Sequence, residues 1–205
     1  MKSMLKLATL SLTLTSLLTA LPAHADGFPE KPIEIVVTYA AGGLTDAFAR
    51  KIASFMPKYL PNEAKVVVVN KPGGAGTIGL TKVANAKADG YTLAYTTSSP
   101  IAMQPLYGKT PFKSDSFVPV AKLFEIPAAF NVHKDSDIKT LDDLKAYVAA
   151  NPGKFTYAST GGKGSGTHLV STEFSKAMGI KIRHVPYEGS AAMKTALSGK
   201  QVMGT

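Results

Sequence analysis

The sequence predicts an α/β fold with parallel-rich sheets, built as two successive strand–helix series. Three observations carry this. Short β-branched runs alternate with amphipathic helical patterns, the signature of βαβ units whose sheet is covered on both faces. A strand, a glycine-rich turn and a helix follow one another near Gly42 and again near Gly164. Between the two series lies an irregular stretch punctuated by proline and glycine. Composition agrees: 205 residues, 45% hydrophobic and 18% charged, are ordinary for a globular chain. The absence of cysteine excludes disulfides, thiolate metal sites and thiol nucleophiles.

Residues 1–25 read as an export leader that does not belong to the fold. Lys2 and Lys6 start it, Leu7 to Leu21 is uncharged, Pro22 breaks the run, and Ala23-His24-Ala25 supplies a small–x–small cleavage site. The run is too short and too rich in Thr and Ser for a membrane span of about 20 residues. Export to a bacterial periplasm is therefore expected.

Ile33 to Thr38 is a short β-branched strand ending at Ala40-Ala41-Gly42-Gly43. Ala47, Phe48, Ile52, Phe55 and Met56 then recur at helical spacing, with Asp46 in the first turn, predicting a helix from Thr45 to Tyr59. Val66–Val69 is a second buried strand, Pro72 to Gly76 a turn, Ile78–Ala86 a small helix and Tyr91–Thr96 a third strand. Ser98-Ser99-Pro100 and Gly108 to Pro111 read as irregular. Phe117–Phe124 and Ala128–Val132 read as strands on either side of Glu125-Ile126-Pro127, the expected crossing between a first lobe, 26–126, and a second, 127–205. In that second series Thr140 and Asp143 have capping-box spacing before a helix to Ala150. Phe155–Ser159 is a strand, Gly161–Gly166 a loop and Thr167–Met178 a helix. Lys181–Val185 is a strand, Ala191–Leu197 a helix, and Gln201-Val202-Met203 the start of one more strand.

Ligands of open parallel sheets sit beyond the C-terminal strand ends, where bare amides and a helix N-terminus face an anion. Two loops have that form. The first offers Ala41, Gly42, Gly43, Thr45 and Asp46. The second offers Ser159, Gly164, Ser165, Thr167 and His168. Facing each other across a hinge, they would hold a carboxylate at one or both ends. Read without that partnership they are tight strand–helix turns, with His168 capping local backbone and Asp46 capping its helix or orienting water.

Other chemistries find less support. Gly74-Ala75-Gly76-Thr77-Ile78-Gly79 satisfies the dinucleotide string, yet Asn70 to Gly73 separates it from the strand and no acidic residue ends a following strand at the expected distance. A dinucleotide-dependent oxidoreductase using Gly74, Gly76 and Gly79, or an exported hydrolase, remains the alternative. No G-x-S-x-G elbow surrounds Ser165. His133, His168 and His184 lack the spacing of a zinc helix, so neither metal nor cofactor is expected. The formal charge of +9 invites nucleic acid, but the lysines are scattered and only Arg50 and Arg183 follow the leader. No basic stripe forms, and no nucleic-acid partner is expected.

Lys31-Pro32-Ile33, the Ala-Ala-Gly-Gly-x-Thr-Asp turn at 40–46 and Asn70 to Gly76 resemble the extracytoplasmic receptors of tripartite tricarboxylate transporters, the TctC-like Bug family. Asp89-Gly90-Tyr91-Thr92, Tyr157-Ala158-Ser159 with the loop to His168-Leu169, and His184 to Gly189 extend the resemblance through the chain. It implies a two-domain Venus-flytrap binding protein, not an enzyme. Such a receptor grips a small carboxylate with the two glycine loops and delivers it, as a monomer, to membrane permease subunits. Thr38-Tyr39 stands where the family has Pro-Phe, Leu44 replaces a small residue, and Lys163 is inserted among the glycines of the second loop. The family pattern is also longer, so the second domain is expected to be incomplete here.

Overall fold

The run Ile33–Val37 is apolar on both faces, so it needs cover above, below and at each edge. In the computed structural model, which describes residues 27–108, 110–125 and 127–205, it receives all of these. The expected leader lies outside the described residues. Strand β1 (Ile33–Val37) is central, between parallel β2 (Val66–Asn70) and β3 (Thr92–Tyr95). Ile33 pairs with Val66 and Glu34 with Thr92, which brings all three strands to a common C-terminal edge at Val37, Asn70 and Tyr95. Helix α1 (Leu44–Phe55) covers one face, with Ala49 and Ala53 buried against Ile35, Val37 and Tyr95. It passes into a 3-10 turn at Met56–Tyr59, where Pro57 cannot continue the α ladder.

Helix α2 (Thr77–Ala84) covers the opposite face, with Leu80 fully buried. A Cβ on Gly79 would stand 2.9 Å from the Lys71 carbonyl and 3.0 Å from Thr38 Cγ2. The last glycine of the dinucleotide-like string thus serves helix–sheet contact.

Ser98–Tyr107 forms a helix, α3, where the sequence suggested an irregular segment. Pro100 sits in the first turn, which tolerates it, but Pro105 lies inside and leaves the Ile101 carbonyl without its helical donor. The Ser114 hydroxyl supplies the missing bond at 3.0 Å. That repair comes from nine residues beyond the proline, which no local pattern anticipates.

Three expected strand segments are corrected. Phe117–Phe124 is not a strand: Val118 and Val120 are 89% and 83% exposed, and the segment has no ladder partner among the described residues. Its β-branched alternation specifies extended chain, while a strand also requires a neighbour. Phe124 instead stacks on Phe48, ring centroids 5.0 Å apart. Ala128–Val132 is reduced to one antiparallel bridge between Val132 and Gly204. Gln201–Met203 is bent rather than extended; the Met203 N–H bonds the Thr156 carbonyl at 2.9 Å, and the bridge to Tyr157 forms at Gly204.

A separate sheet pairs β4 (Thr156–Thr160) with parallel β5 (Arg183–Tyr187), Thr156 opposite Arg183. Helix α4 (Leu141–Ala150) opens with the expected capping box: Thr140 Oγ1 accepts the Asp143 N–H at 3.1 Å and Asp143 accepts the Thr140 N–H at 2.8 Å. Leu144 and Val148 of α4 pack with Phe155 and Tyr157, and Phe130 stacks between Phe155 and Phe174. Helix α5 (Gly166–Met178) crosses between the strands and ends on Gly179 at φ +67°, a left-handed stop suited to glycine. Helix α6 (Ser190–Ser198) follows β5 and buries Ala196 against Ala158 and Val202. Among the described residues no helix is long and apolar enough to cross a membrane.

Candidate functional site

Each parallel strand delivers its chain to the sheet's C-terminal edge, and a glycine there lets the chain turn into a helix. The first loop leaves β1 and enters α1 with Gly42 at φ +76° and Gly43 as the N-cap. Gly43 has no side chain, so the N-cap residue itself offers no side-chain cap to the first-turn amides of α1.

Asp46, one turn into α1, braces this loop from within. It is only 4% exposed. Its Oδ2 accepts from the Gly42 N–H at 2.9 Å and from Arg50 Nε at 3.1 Å. Its Oδ1 accepts from the Asn70 amide at 2.9 Å and lies 3.0 Å from the Arg50 guanidinium. Asn70 also donates to the Tyr39 carbonyl at 3.1 Å and accepts from Arg50 at 2.9 Å. Burial pushes the Asp46 carboxyl up, but Arg50, the Gly42 amide and Asn70 outweigh it and hold the group below the usual carboxylate range. Both oxygens point inward, so Asp46 and the Gly42 amide act here as the frame of the loop. Asn70, at the end of β2, belongs to that frame although sequence reasoning did not select it. Its position at a parallel strand's C-terminal end was the available signal.

The second loop leaves β4 and enters α5. Gly161, Gly162 and Gly164 have φ between +81° and +85°. The Ser165 hydroxyl is buried and caps α5, accepting from the His168 N–H at 3.4 Å, while Thr167 Oγ1 donates to the Thr160 carbonyl at 2.9 Å. His168 Nδ1 accepts from the Gly164 N–H at 3.2 Å, which places the ring proton on Nε2. Ser159 is 1% exposed and its hydroxyl lies 2.6 Å from His184 Nε2. The His168 and His184 rings are in contact, centroids 4.3 Å apart.

Burial and the charge of Lys163 lower the pKa of His168; burial, His168 and Lys163 bring His184 down to about 4. Both imidazoles are therefore neutral at pH 7. The Ser159–His184 pair has the spacing of a nucleophile and its base, but the hydroxyl is sealed from solvent and among the described residues no carboxylate bonds the ring.

The two glycine-bearing loops meet at Gly161 and Tyr39, outside the expected half-site residues, and each is otherwise faced by a segment that the sequence pattern does not select. A Cβ on Gly161 would stand 3.1 Å from the Tyr39 ring, which ties the second loop to the first. The first loop otherwise faces the β5–α6 turn: Leu44 N–H donates to Ser190 Oγ at 2.9 Å and Ala40 N–H to the Glu188 carbonyl at 3.4 Å. The second loop faces α3: Gly166 N–H donates to Ser99 Oγ at 3.1 Å, and Gln104 Nε2 donates to the Gly164 carbonyl at 2.8 Å. Gly189-Ser190 repeats the pattern of strand, glycine and helix, which was the signal available for it. Ser99 and Gln104 are hidden in the sequence because the proline-bearing stretch that forms α3 carries no helical signal.

The N-termini of α1, α3, α5 and α6 thus gather along one seam, and of these α5 is capped by a side chain of its own loop. Their dipoles favour negative charge there. Ala41, Gly43 and Thr45 line the first turn at its end of this seam, while Asp46, Ser159 and Ser165 are turned into the protein. Among the described residues no group of three His, Asp or Glu side chains gathers as a metal site would require.

The sequence profile described as "Tripartite tricarboxylate transporter family receptor" matches residues 48–205. A UPF0065 protein of Bordetella pertussis is 34% identical over 191 residues, covering 93% of this chain and 58% of its own length. Protein BugT of the same organism is 33% identical, covering 94% and 59%. Among solved structures, the periplasmic binding protein BugD superposes with a TM-score of 0.73 at 33% identity, over 86% of this chain and 58% of BugD. MatC of Rhodopseudomonas palustris, solved with malate, gives 0.78 at 29% identity, over 86% and 60%. Rpa4515 of R. palustris, solved with adipate, gives 0.80 at 30% identity, over 87% and 59%. The chain therefore spans about three fifths of the length of these relatives.

Proposed function

We propose that this chain, which belongs to the tripartite tricarboxylate transporter family of receptors, captures a small carboxylate and presents it to the permease subunits of such a transporter. The receptors of this family are periplasmic solute-binding proteins, and the solved neighbours are binding proteins, not enzymes. In this reading residues 1–25 are a cleaved signal peptide, 26–126 the first lobe and 127–205 part of the second, and the receptor acts as a monomer.

The observation that carries the reading is the gathering of helix N-termini from both series along one seam while the buried carboxylate of Asp46 is neutralised by Arg50. A carboxylate placed there would accept from the amides of Ala41, Gly43 and Thr45 on one side and from the Thr167 N–H on the other, since the Gly164, Gly166 and His168 amides serve the frame of the second loop. Malate and adipate, bound by two relatives, are both dicarboxylates and have the charge and size such a seam would take.

Isothermal titration calorimetry with acetate, succinate, malate, adipate and citrate tests this, using melting temperature as a second readout. At a hundredfold excess over Kd, binding should add about 2.7 kcal/mol of stability. Gly43→Val should weaken binding by about tenfold or more, as loss of one charge-assisted hydrogen bond implies. Gly43 has φ −82°, so valine is tolerated by the backbone, but its Cβ would stand 3.2 Å from Ser190 Oγ. A full-length protein that binds none of these acids would sink the proposal.

A further inference from the structure

Two serine hydroxyls occupy matching positions on opposite sides of the seam. Ser190 opens α6, and its oxygen accepts the N–H of Leu44, the first residue of α1. Ser99 lies in the first turn of α3, and its oxygen accepts the N–H of Gly166, the first residue of α5. Each series thus caps a helix of the other. These caps lie between residues 146 and 67 positions apart in sequence, so both depend on how the two series sit together.

A hydroxyl has one proton and two lone pairs. In both serines the oxygen is used as an acceptor, and neither hydroxyl proton meets an acceptor among the described residues. Accepting from a helix N–H polarises the O–H bond, which makes the remaining proton a better donor to an anion.

We propose that Ser99 and Ser190 form a reciprocal latch that holds the two halves together and gives its free protons to an oxygen of the bound carboxylate. Closure and binding then reinforce one another through the same two atoms. The contact of Gly43 with Ser190 places one arm of the latch against the first glycine loop, and Gln104 on the Gly164 carbonyl steadies the other. The inference deepens the receptor reading by naming residues that couple its site to closure.

The test uses Ser99→Ala, Ser190→Ala and the double variant in the full chain, with malate and adipate as probes. Each alanine should weaken binding about threefold to tenfold, the range expected for one neutral hydrogen bond. The change should fall mainly on the dissociation rate. Without ligand, small-angle X-ray scattering should show a larger radius of gyration for the double variant than for wild type. Ser190→Thr and Ser99→Thr keep the hydroxyl and should restore affinity, which a purely steric role would not predict. If an alanine variant fails to fold, the threonine variant at that position and the alanine at the other carry the test. Unchanged affinity and radius in the alanine variants overturn the latch, as does a loss of affinity with no change in radius. If wild type binds neither acid, the receptor reading fails, and the ligand-free radii alone decide whether the latch exists.

Discussion

The loops before α1 and α5 share one chain grammar, strand, glycine, helix, yet they are braced by different physics. The first is held by charge: a buried carboxylate, a guanidinium and an amide lock Gly42, Tyr39 and Asn70 together. The second is held by neutral groups: a buried serine cap, a threonine hydroxyl and a pair of uncharged imidazoles. A glycine turn before a helix therefore does not specify which amides stay available to a ligand. The residues one turn later decide that, by taking some amides for the frame.

The sharpest way to break the comparison is to remove the charge from the first loop. Asp46→Ala leaves the Gly42 amide without its acceptor, removes one of the two acceptors of the Asn70 side chain and leaves Arg50 without its carboxylate. A buried pair broken on one side costs about 3–5 kcal/mol, and the half-exposed Arg50 side chain brings this toward about 2 kcal/mol. Urea unfolding measures it. Asp46→Asn should lose less, because it keeps an acceptor for Gly42. If both variants match wild type, the loop is not braced by charge.

The second loop should instead be sensitive to acid. The folded-state pKa of His184 lies near 4, below its ordinary value of 6.5. The unfolded chain therefore binds more protons in this window, and stability increases with pH. The contribution is fully present above about pH 6.5 and is lost as pH falls toward 4. His168 shifts in the same direction, and its protonation would also turn an N–H toward the Gly164 amide. Asp46 adds to the fall only at the acid end, because its contribution begins to be lost as the unfolded carboxyl protonates around its ordinary value of 3.8. Melting curves between pH 7 and 4 should fall steadily, and His184→Gln should flatten them. A flat wild-type profile would remove the neutral imidazoles from the account.

The difference also explains what could be read from the sequence. The strands Ile33–Val37, Val66–Asn70 and Thr92–Tyr95 and the helices beginning at Leu44, Leu141 and Gly166 follow from local periodicity and caps. The two glycine loops were legible because glycine before a helix is a local signal. Ser99, Gln104, Asn70 and Ser190 were not, because their roles arise from contacts between distant segments. The same limit accounts for α3, whose interior proline is tolerated through Ser114, and for Phe117–Phe124, whose pattern describes an extended chain without saying what pairs with it.

The smallest effect separates a cap that serves only its helix from one that also shapes the seam. Thr140→Ala removes a capping-box oxygen that is exposed and remote from the seam, at a cost of about 1 kcal/mol. Ser165→Ala removes the α5 cap and should cost about the same in stability, because the lost bond is of the same kind. The Ser165 hydroxyl, however, is buried and also meets Thr167 Oγ1 at 3.2 Å, so its loss loosens the turn that carries the Gly164 and Gly166 amides. Carboxylate affinity should therefore fall in Ser165→Ala and stay unchanged in Thr140→Ala at matched stability loss. Equal affinities in the two variants would make Ser165 an ordinary helix cap and leave the second loop's order to Thr167, His168, Gln104 and Ser99.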